Sequence, residues 1–206
     1  MDSRKYFIIA VAIIATVTGI WMSSRVLNPP PLPQTATMLP APTDIADFSL
    51  LDQDGVAFTQ SSFAGRWNLV FFGFTHCPDV CPLTLQILAQ ARQQLLDDGH
   101  DELPRIVLVS VDPERDTPAL IGKYVANFGD DIIGVSGELS ELRKLTGGLG
   151  IYFEKSAADG DSDNYSVDHS AVVIVVDPDG RFHSLFGSPH KAENFVYDLP
   201  IIMSTR

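Results

Sequence analysis

The residues of this chain best suited to chemistry are its two cysteines, Cys77 and Cys81. They follow a short apolar run, Asn68 to Phe74, whose valine and aromatic residues predict a buried strand. Proline is disfavoured inside a helix because it lacks an N–H and clashes with the preceding turn. We therefore expect the next helix to begin at Pro82, with Cys81 as its N-cap. Both sulfurs would then lie on a strand-to-helix turn.

A turn of this kind favours thiolate chemistry. The start of a helix presents unpaired N–H groups and a partial positive charge, which lower a cysteine pKa from its reference of about 8.5. Thiolates attack disulfides and bind soft metals. A structural disulfide is the third interpretation, but closing a loop of about five residues stabilises a fold by only ~2 kcal/mol. The spacing is compatible with three interpretations: a catalytic dithiol, a metal-binding pair and a structural disulfide. A disulfide that closes so short a loop would constrain the chain very little.

The segments around the cysteines predict alternating strands and helices. A small hairpin, 48–51 with 56–58, comes before the cysteine turn. Strands are predicted at 105–111, 132–135, 151–154, 171–176 and 181–186, and helices at 83–96, from 118, at 138–145 and at 191–202. Thr117 should cap the helix from Pro118, and Gly147-Gly148 should stop the helix from Glu138. This order predicts an α/β, thioredoxin-like fold, a mixed central sheet with helices on both faces.

His169 is the third candidate donor. In a thioredoxin-like sheet, the loop before the terminal hairpin lies beside the active turn, and here that loop is Ser166 to Ser170. A histidine at a strand entrance is commonly structural, but this placement brings an imidazole towards the two sulfurs. Two thiolates and an imidazole suit copper in either oxidation state and leave a position open, whereas zinc with a bound water is the rival metal. His76, next to Cys77, is awkwardly placed to bind at the same time.

The first 25 residues have the pattern of a membrane anchor. Tyr6 to Met22 is an uncharged apolar run, at the short end for a bilayer span and too long for a usual signal-peptide core. No small-residue cleavage site follows it, so we expect a retained transmembrane helix. Arg4 and Lys5 precede it, which predicts a cytoplasmic N-terminus and an exported domain. Without an arginine-rich presequence, the expected location is a bacterial inner membrane with the domain in the periplasm.

Composition sets the remaining expectations. Residues 26–43 are rich in proline and predict a semi-rigid extended spacer before a domain at 44–206. Residues 1–25 carry a net charge of +2, so the total of −12 leaves −14 on the rest of the chain. Such a surface repels nucleic acid. In an oxidising compartment two cysteines pair unless a reductant or a metal prevents it.

Three separated motifs resemble the Sco/SenC family of membrane-tethered copper assembly proteins, with a likeness extending over roughly Ala46 to Pro200. The motifs are Thr75-His76-Cys77-Pro78-Asp79-Val80-Cys81-Pro82, Asp112-Pro113-Glu114-Arg115-Asp116-Thr117-Pro118 and Val167-Asp168-His169-Ser170.

The resemblance implies a thioredoxin fold that binds copper, Cu(I) or Cu(II), through Cys77, Cys81 and His169. It also implies a role in assembling the dinuclear copper centre on subunit II of cytochrome c oxidase. Because a site that needs thiolates in an oxidising compartment must be kept reduced, we also expect a thiol reductant as a partner, and other copper carriers as further partners. The alternative is a thiol–disulfide oxidoreductase in which Cys77 and Cys81 reduce cysteines of that subunit or of another exported protein.

Overall fold

The computed structural model describes residues 3–27, 31–156 and 165–205. Residues 157–164 lie outside the described residues, as does part of the proline-rich segment at 26–43. The chain divides into two compact units, Met1–Leu32 and Pro33–Arg206.

The first unit consists mainly of helix α1, Ser3–Leu27. Its segment Arg4–Ser23 is 20 residues long with a mean hydropathy of 2.0, and its apolar side chains are exposed. About 20 apolar residues suffice to cross the hydrocarbon core of a bilayer. The helix is therefore a candidate membrane span, and its orientation stays a prediction.

The second unit contains ten strands and four helices among its described residues. The strands are β1 Ala36–Asp44, β2 Ser49–Asp52, β3 Ala57–Thr59, β4 Asn68–Gly73, β5 Arg105–Ser110, β6 Ile132–Ser136, β7 Phe153–Ser156, β8 Ser166–His169, β9 Val172–Val176 and β10 Arg181–Gly187. The helices are α2 Val80–Asp97, α3 Pro118–Val125, α4 Leu139–Leu149 and α5 Ala192–Met203, with a short 3-10 helix at Gln60–Phe63.

Eight of these strands form one mixed sheet in the order β1-β10-β9-β4-β5-β6-β2-β3. Strands β4, β5 and β6 are parallel, whereas β9 runs antiparallel to β4. All six residues of β4 are buried, as a central strand covered on both faces requires. The predicted thioredoxin-like α/β fold is confirmed, and the carboxyl end of its central strand leads directly into the cysteine turn.

Helix α2 begins earlier than predicted. It starts at Val80 with Asp79 as N-cap, so the expected start at Pro82 with Cys81 as the cap is wrong. Proline is accommodated at the third helical position because N–H groups of the first turn have no partner within the helix. Cys81 consequently lies inside the first turn of α2.

Two other boundaries differ from the prediction. Helix α4 runs through Gly147 and Gly148 and ends at Leu149, and its C-cap is Gly150, whose φ of 68° is the left-handed conformation that favours glycine. The predicted loop at 166–170 is largely strand β8, which pairs antiparallel with β7 so that His169 lies opposite Phe153. The pair β7–β8 forms a separate two-stranded sheet, and this hairpin carries the histidine.

The predicted spacer is wrong for residues 36–43, which belong to the edge strand β1 paired with β10. Asp198 of α5 fixes the start of this strand. Its carboxylate accepts the backbone N–H groups of Gln34, Thr35 and Ala36 and the Thr35 hydroxyl, at 2.7 to 2.8 Å. Prolines suit an edge strand because its outer side forms no ladder bonds, so a proline-rich segment is compatible with pairing along its inner side.

Candidate metal centre

The turn between β4 and α2 positions both cysteines. The Cys77 N–H donates to the Phe74 carbonyl at 3.2 Å, which tightens the chain directly after the strand. The Cys81 N–H, in the first turn of α2, donates to the Cys77 sulfur at 3.4 Å. Cys77 is half-buried and Cys81 fully buried, and both are free thiols. One sulfur is therefore accessible and the other lies behind it.

Gly73 allows the buried sulfur to approach the end of the strand. A Cβ atom at this position would lie 2.9 Å from Cys81 Sγ and 2.9 Å from the Phe71 ring. Both separations are shorter than packed atoms tolerate, so a side chain here would displace the sulfur or the ring. The glycine at the end of β4 is thus part of the site.

The two thiols have opposite acidities. The pKa of Cys77 is lowered to about 5, chiefly by a hydrogen bond from the Cys81 thiol, with further contributions from backbone N–H groups and from His169 that outweigh the effect of burial. The same bond, together with burial, raises the pKa of Cys81. At neutral pH, Cys77 is consequently a thiolate and Cys81 keeps its proton.

His169, the last residue of β8, faces the buried sulfur. Its Nε2 lies 3.8 Å from Cys81 Sγ, and its Nδ1 lies 3.3 Å from the Ser170 carbonyl oxygen. A carbonyl oxygen only accepts, so in a neutral ring Nδ1 carries the proton and the lone pair of Nε2 is directed towards the sulfur. The rings of Phe71 and Phe74 lie edge-on to the imidazole with centroids 6.1 Å away, which limits its rotation.

The fold thus brings together the three side chains singled out in the sequence. Among the described residues, no group of three or more His, Cys, Asp and Glu side chains is already spaced to hold a metal ion. The donors are instead adjacent in pairs, Cys77 with Cys81 and Cys81 with His169. Two sulfurs and a neutral imidazole nitrogen are the donor types that suit copper, above all Cu(I). Binding would require the donors to draw closer around the ion.

Asp116 holds the cysteine turn in place. Its buried carboxylate accepts the Thr75 N–H at 2.9 Å, the Thr75 hydroxyl at 2.5 Å and the Ser110 hydroxyl at 2.7 Å. The cap of α3 is Thr117, as predicted, and its hydroxyl accepts the Leu120 N–H. Asp116 bonds to a residue two positions before Cys77, a contact between distant segments that no local pattern indicates.

Two polar side chains that neighbour the proposed donors in the sequence, those of His76 and Asp168, are exposed. His76 is exposed, with Nδ1 3.1 Å from the Thr75 hydroxyl and 3.9 Å from Asp116. Asp168, the neighbour of His169 in the sequence, is exposed. The contact to His169 Nδ1 comes from the Ser170 carbonyl, so the main chain provides the orienting contact.

Comparison with known proteins places this geometry in a family. The SCO1/SenC family model matches residues 37–204. The "Putative copper-binding protein" of Stutzerimonas stutzeri is 32% identical over 205 residues, covering 98% of this chain and 97% of that protein. "Protein SCO2 homolog, mitochondrial" of Bos taurus is 33% identical over 194 residues, covering 92% of this chain and 72% of that protein. The crystal structure of Arabidopsis thaliana ScoI with copper bound superposes with a TM-score of 0.74 at 30% identity, over 80% of this chain and 100% of that chain.

Proposed function

The chain belongs to the SCO1/SenC family, and on that premise we propose that it is a membrane-anchored copper metallochaperone whose ligands are Cys77, Cys81 and His169. The observation that supports these ligands most directly is the 3.8 Å between His169 Nε2 and Cys81 Sγ, atoms of residues 88 positions apart. A relative named as copper-binding and a structural neighbour with copper bound support the metal.

The acidities of the thiols suggest an order of binding. The Cys77 thiolate is accessible and takes the incoming Cu(I) first. Cys81 then loses its proton to water as its sulfur binds the same ion, because a metal ligand must be deprotonated. The lone pair of His169 Nε2 completes a three-donor set. A fourth position stays open for a donor of the acceptor protein, so the cargo is transferred by ligand exchange.

We propose that the acceptor is subunit II of cytochrome c oxidase, whose dinuclear copper centre the protein helps to assemble. The domain would act in the periplasm, held to the inner membrane by α1. The first turn of α2, which follows Cys77 in the chain, exposes two apolar side chains, Val80 and Leu83. Exposed apolar side chains close in sequence to a reactive sulfur are suited to contact with another protein.

Metal analysis combined with absorption spectroscopy tests the proposal. The full chain in detergent should bind one copper per protein and, as Cu(II), should show the visible absorption of a thiolate–copper bond. His169→Ala should weaken binding and alter that spectrum. A loaded protein should also pass copper to the isolated copper domain of subunit II. Substoichiometric copper with a spectrum insensitive to His169→Ala would overturn the ligand assignment.

Thiol–disulfide exchange is a second candidate function, favoured by the contrast between an accessible thiolate at Cys77 and a buried thiol at Cys81. The Cys77 thiolate would attack a partner disulfide, form a mixed disulfide and release one partner thiolate. Cys81 would then lose its proton and attack the Cys77 sulfur, which frees the partner's second thiolate and leaves a Cys77–Cys81 disulfide. A separate thiol reductant must regenerate the protein.

Trapping distinguishes the two functions. Cys81→Ser should accumulate the mixed disulfide if exchange occurs. His169→Ala should weaken copper binding but change the exchange rate only slightly, because His169 is the smallest of the influences that lower the Cys77 pKa. An exchange rate that falls with His169→Ala in parallel with copper affinity would contradict the separation of the two roles.

A further inference from the structure

In the part of the hairpin that the structure describes, the strands that carry and face His169 form no ladder with the main sheet. Strands β7 and β8 pair only with each other among the described strands, whereas both cysteines follow the central strand of the large sheet. The distance between the imidazole and the sulfurs therefore depends on what fixes the hairpin to the rest of the domain. Val167 and Phe153 are buried and supply apolar packing, but such packing gives little directional constraint.

A directional contact is made by Tyr165, the residue before β8. Its hydroxyl donates to Asp112 Oδ1 at 2.6 Å. Asp112 is fully buried in the loop between β5 and α3, and its Oδ2 pairs with Arg115 Nε. The Arg115 guanidinium also lies over the Tyr165 ring, 3.7 Å from its centroid. Because the Tyr165 ring is held at its hydroxyl and on its face, it has little freedom to move, and the start of the strand that follows it is held with it.

The opposite strand of the hairpin contacts the same loop. Lys155 of β7 forms an ion pair with Glu114, and its ammonium group lies 4.8 Å from the centroid of the Tyr165 ring. This ion pair is exposed and contributes little stability by itself. It adds a second point of attachment beside the buried one.

The loop at 112–116 also holds the other half of the site. Through Asp116 it binds both the backbone and the hydroxyl of Thr75, two residues before Cys77. One short segment thus contacts the cysteine turn through Asp116 and the histidine hairpin through Asp112. This places both halves of the donor set on a common support.

We propose that Tyr165 and Asp112 are positioning residues that set the spacing between His169 and the two cysteines, with the loop at 112–116 as the common support. The proposal rests on the copper-binding function proposed above. Neither residue is a ligand. Both act on the metal only through the place at which they hold His169.

The test removes the Tyr165 hydroxyl and compares the effect with that of removing the hydroxyl of another tyrosine near the same hairpin. Tyr165→Phe deletes the bond to Asp112 and keeps the ring. Tyr152→Phe is the control, since its hydroxyl lies near the start of the same hairpin and bonds to Glu154 of β7. Loss of a group that orients a metal ligand typically weakens affinity by 10- to 100-fold. We expect Tyr165→Phe to weaken Cu(I) affinity about 10-fold and Tyr152→Phe to leave it unchanged.

Combination with His169→Ala separates positioning from general destabilisation. If Tyr165 acts through His169, Tyr165→Phe should cause no further loss of Cu(I) affinity in a protein that already carries His169→Ala. Equal weakening in both backgrounds would overturn the proposal, because the effect would then be transmitted through the cysteines or through overall stability. Unchanged affinity in the wild-type background would overturn it as well.

A readout without copper keeps this proposal distinct from the function on which it rests. In the metal-free protein, NMR resonances of the His169 ring report its position between Phe71 and Phe74. Tyr165→Phe should shift these resonances and Tyr152→Phe should not. If the wild-type protein binds no copper, the proposed function fails while the shift still supports positioning. If the resonances do not move, the positioning role is refuted whatever the copper result.

Discussion

Replacing Cys81 by alanine should raise the pKa of the Cys77 thiol and change the pH dependence of its alkylation. The hydrogen bond from the Cys81 side chain is the largest influence that lowers the pKa of Cys77 to about 5. Backbone N–H groups and His169 also lower it, so the variant should have a pKa above 5 without losing all of the shift. Because the folded-state pKa is lowered, the thiolate persists as pH falls until the pH passes through about 5.

The magnitude follows from the fraction of thiolate. With a pKa of about 5, Cys77 is about 99% thiolate at pH 7, whereas a thiol with the reference pKa of about 8.5 is about 3% thiolate. Intrinsic nucleophilicity falls with pKa, and for a shift of this size the loss is about 40-fold. The two effects nearly cancel at pH 7, so the shape of the pH profile, rather than one rate, is diagnostic.

The assay is alkylation of the metal-free protein by iodoacetamide between pH 4 and 9. The wild-type rate should be flat above about pH 6.5 and fall below it with a midpoint of about 5, whereas the rate for Cys81→Ala should still rise at higher pH. Cys77→Ser is the control and should react slowly, because Cys81 is buried and its pKa is raised. A wild-type rate that climbs tenfold per pH unit from 6 to 8, or a midpoint unmoved in Cys81→Ala, would refute this reasoning.

Three further predictions address packing, stability and topology. Gly73→Ala forces a Cβ against Cys81 Sγ and should reduce the free energy of unfolding by about 1–3 kcal/mol in urea, and an unchanged value would contradict the close approach. Asp198→Asn should lower the free energy of unfolding by about 2 kcal/mol at pH 7. Burial alone would raise the pKa of Asp198, but its hydrogen bonds to Thr35, Gln34 and Ala36 lower it below the unfolded value of about 3.9. The carboxylate therefore stabilises the fold above that pH, and the difference in stability between the variant and the wild type should vanish as pH falls through the lower folded-state pKa. With reductant and chelator present, a membrane-impermeant maleimide should label Cys77 in intact bacteria that express the chain, and labelling only after lysis would contradict the expected export.

Features encoded locally were predictable from the sequence. The apolar run of β4, the cap and proline at Thr117-Pro118 and the turn between β9 and β10 each depend on neighbouring residues, and the structure confirms them. The predicted start of α2 is wrong because a proline such as Pro82 is compatible with more than one position in the first turn of a helix. The pairing of residues 36–43 depends on β10 and Asp198, which lie far along the chain, so their proline-rich composition alone predicts a spacer rather than a strand.

The candidate site likewise combines features that the local sequence predicts with contacts that depend on distant residues. Its sulfurs were evident from residue type and spacing, and His169 from the expected place of its segment in the fold. The bond from Tyr165 to Asp112 and that from Thr75 to Asp116 join segments 53 and 41 residues apart. No periodicity or turn signal in one sequence specifies such pairs. The residues that support the donors are therefore apparent only from the structure.

Cu(I) titration against a competing chelator, with the full chain in detergent, tests the central claim most directly. The wild-type protein should bind one Cu(I), and Cys77→Ser, Cys81→Ser and His169→Ala should each weaken binding. His76→Ala is the matched control, because it removes an imidazole next to Cys77 that contacts Thr75 and Asp116, and it should leave the affinity unchanged. Affinity that survives His169→Ala, or that falls as far with His76→Ala, would contradict a site built from two sulfurs and the imidazole of the hairpin.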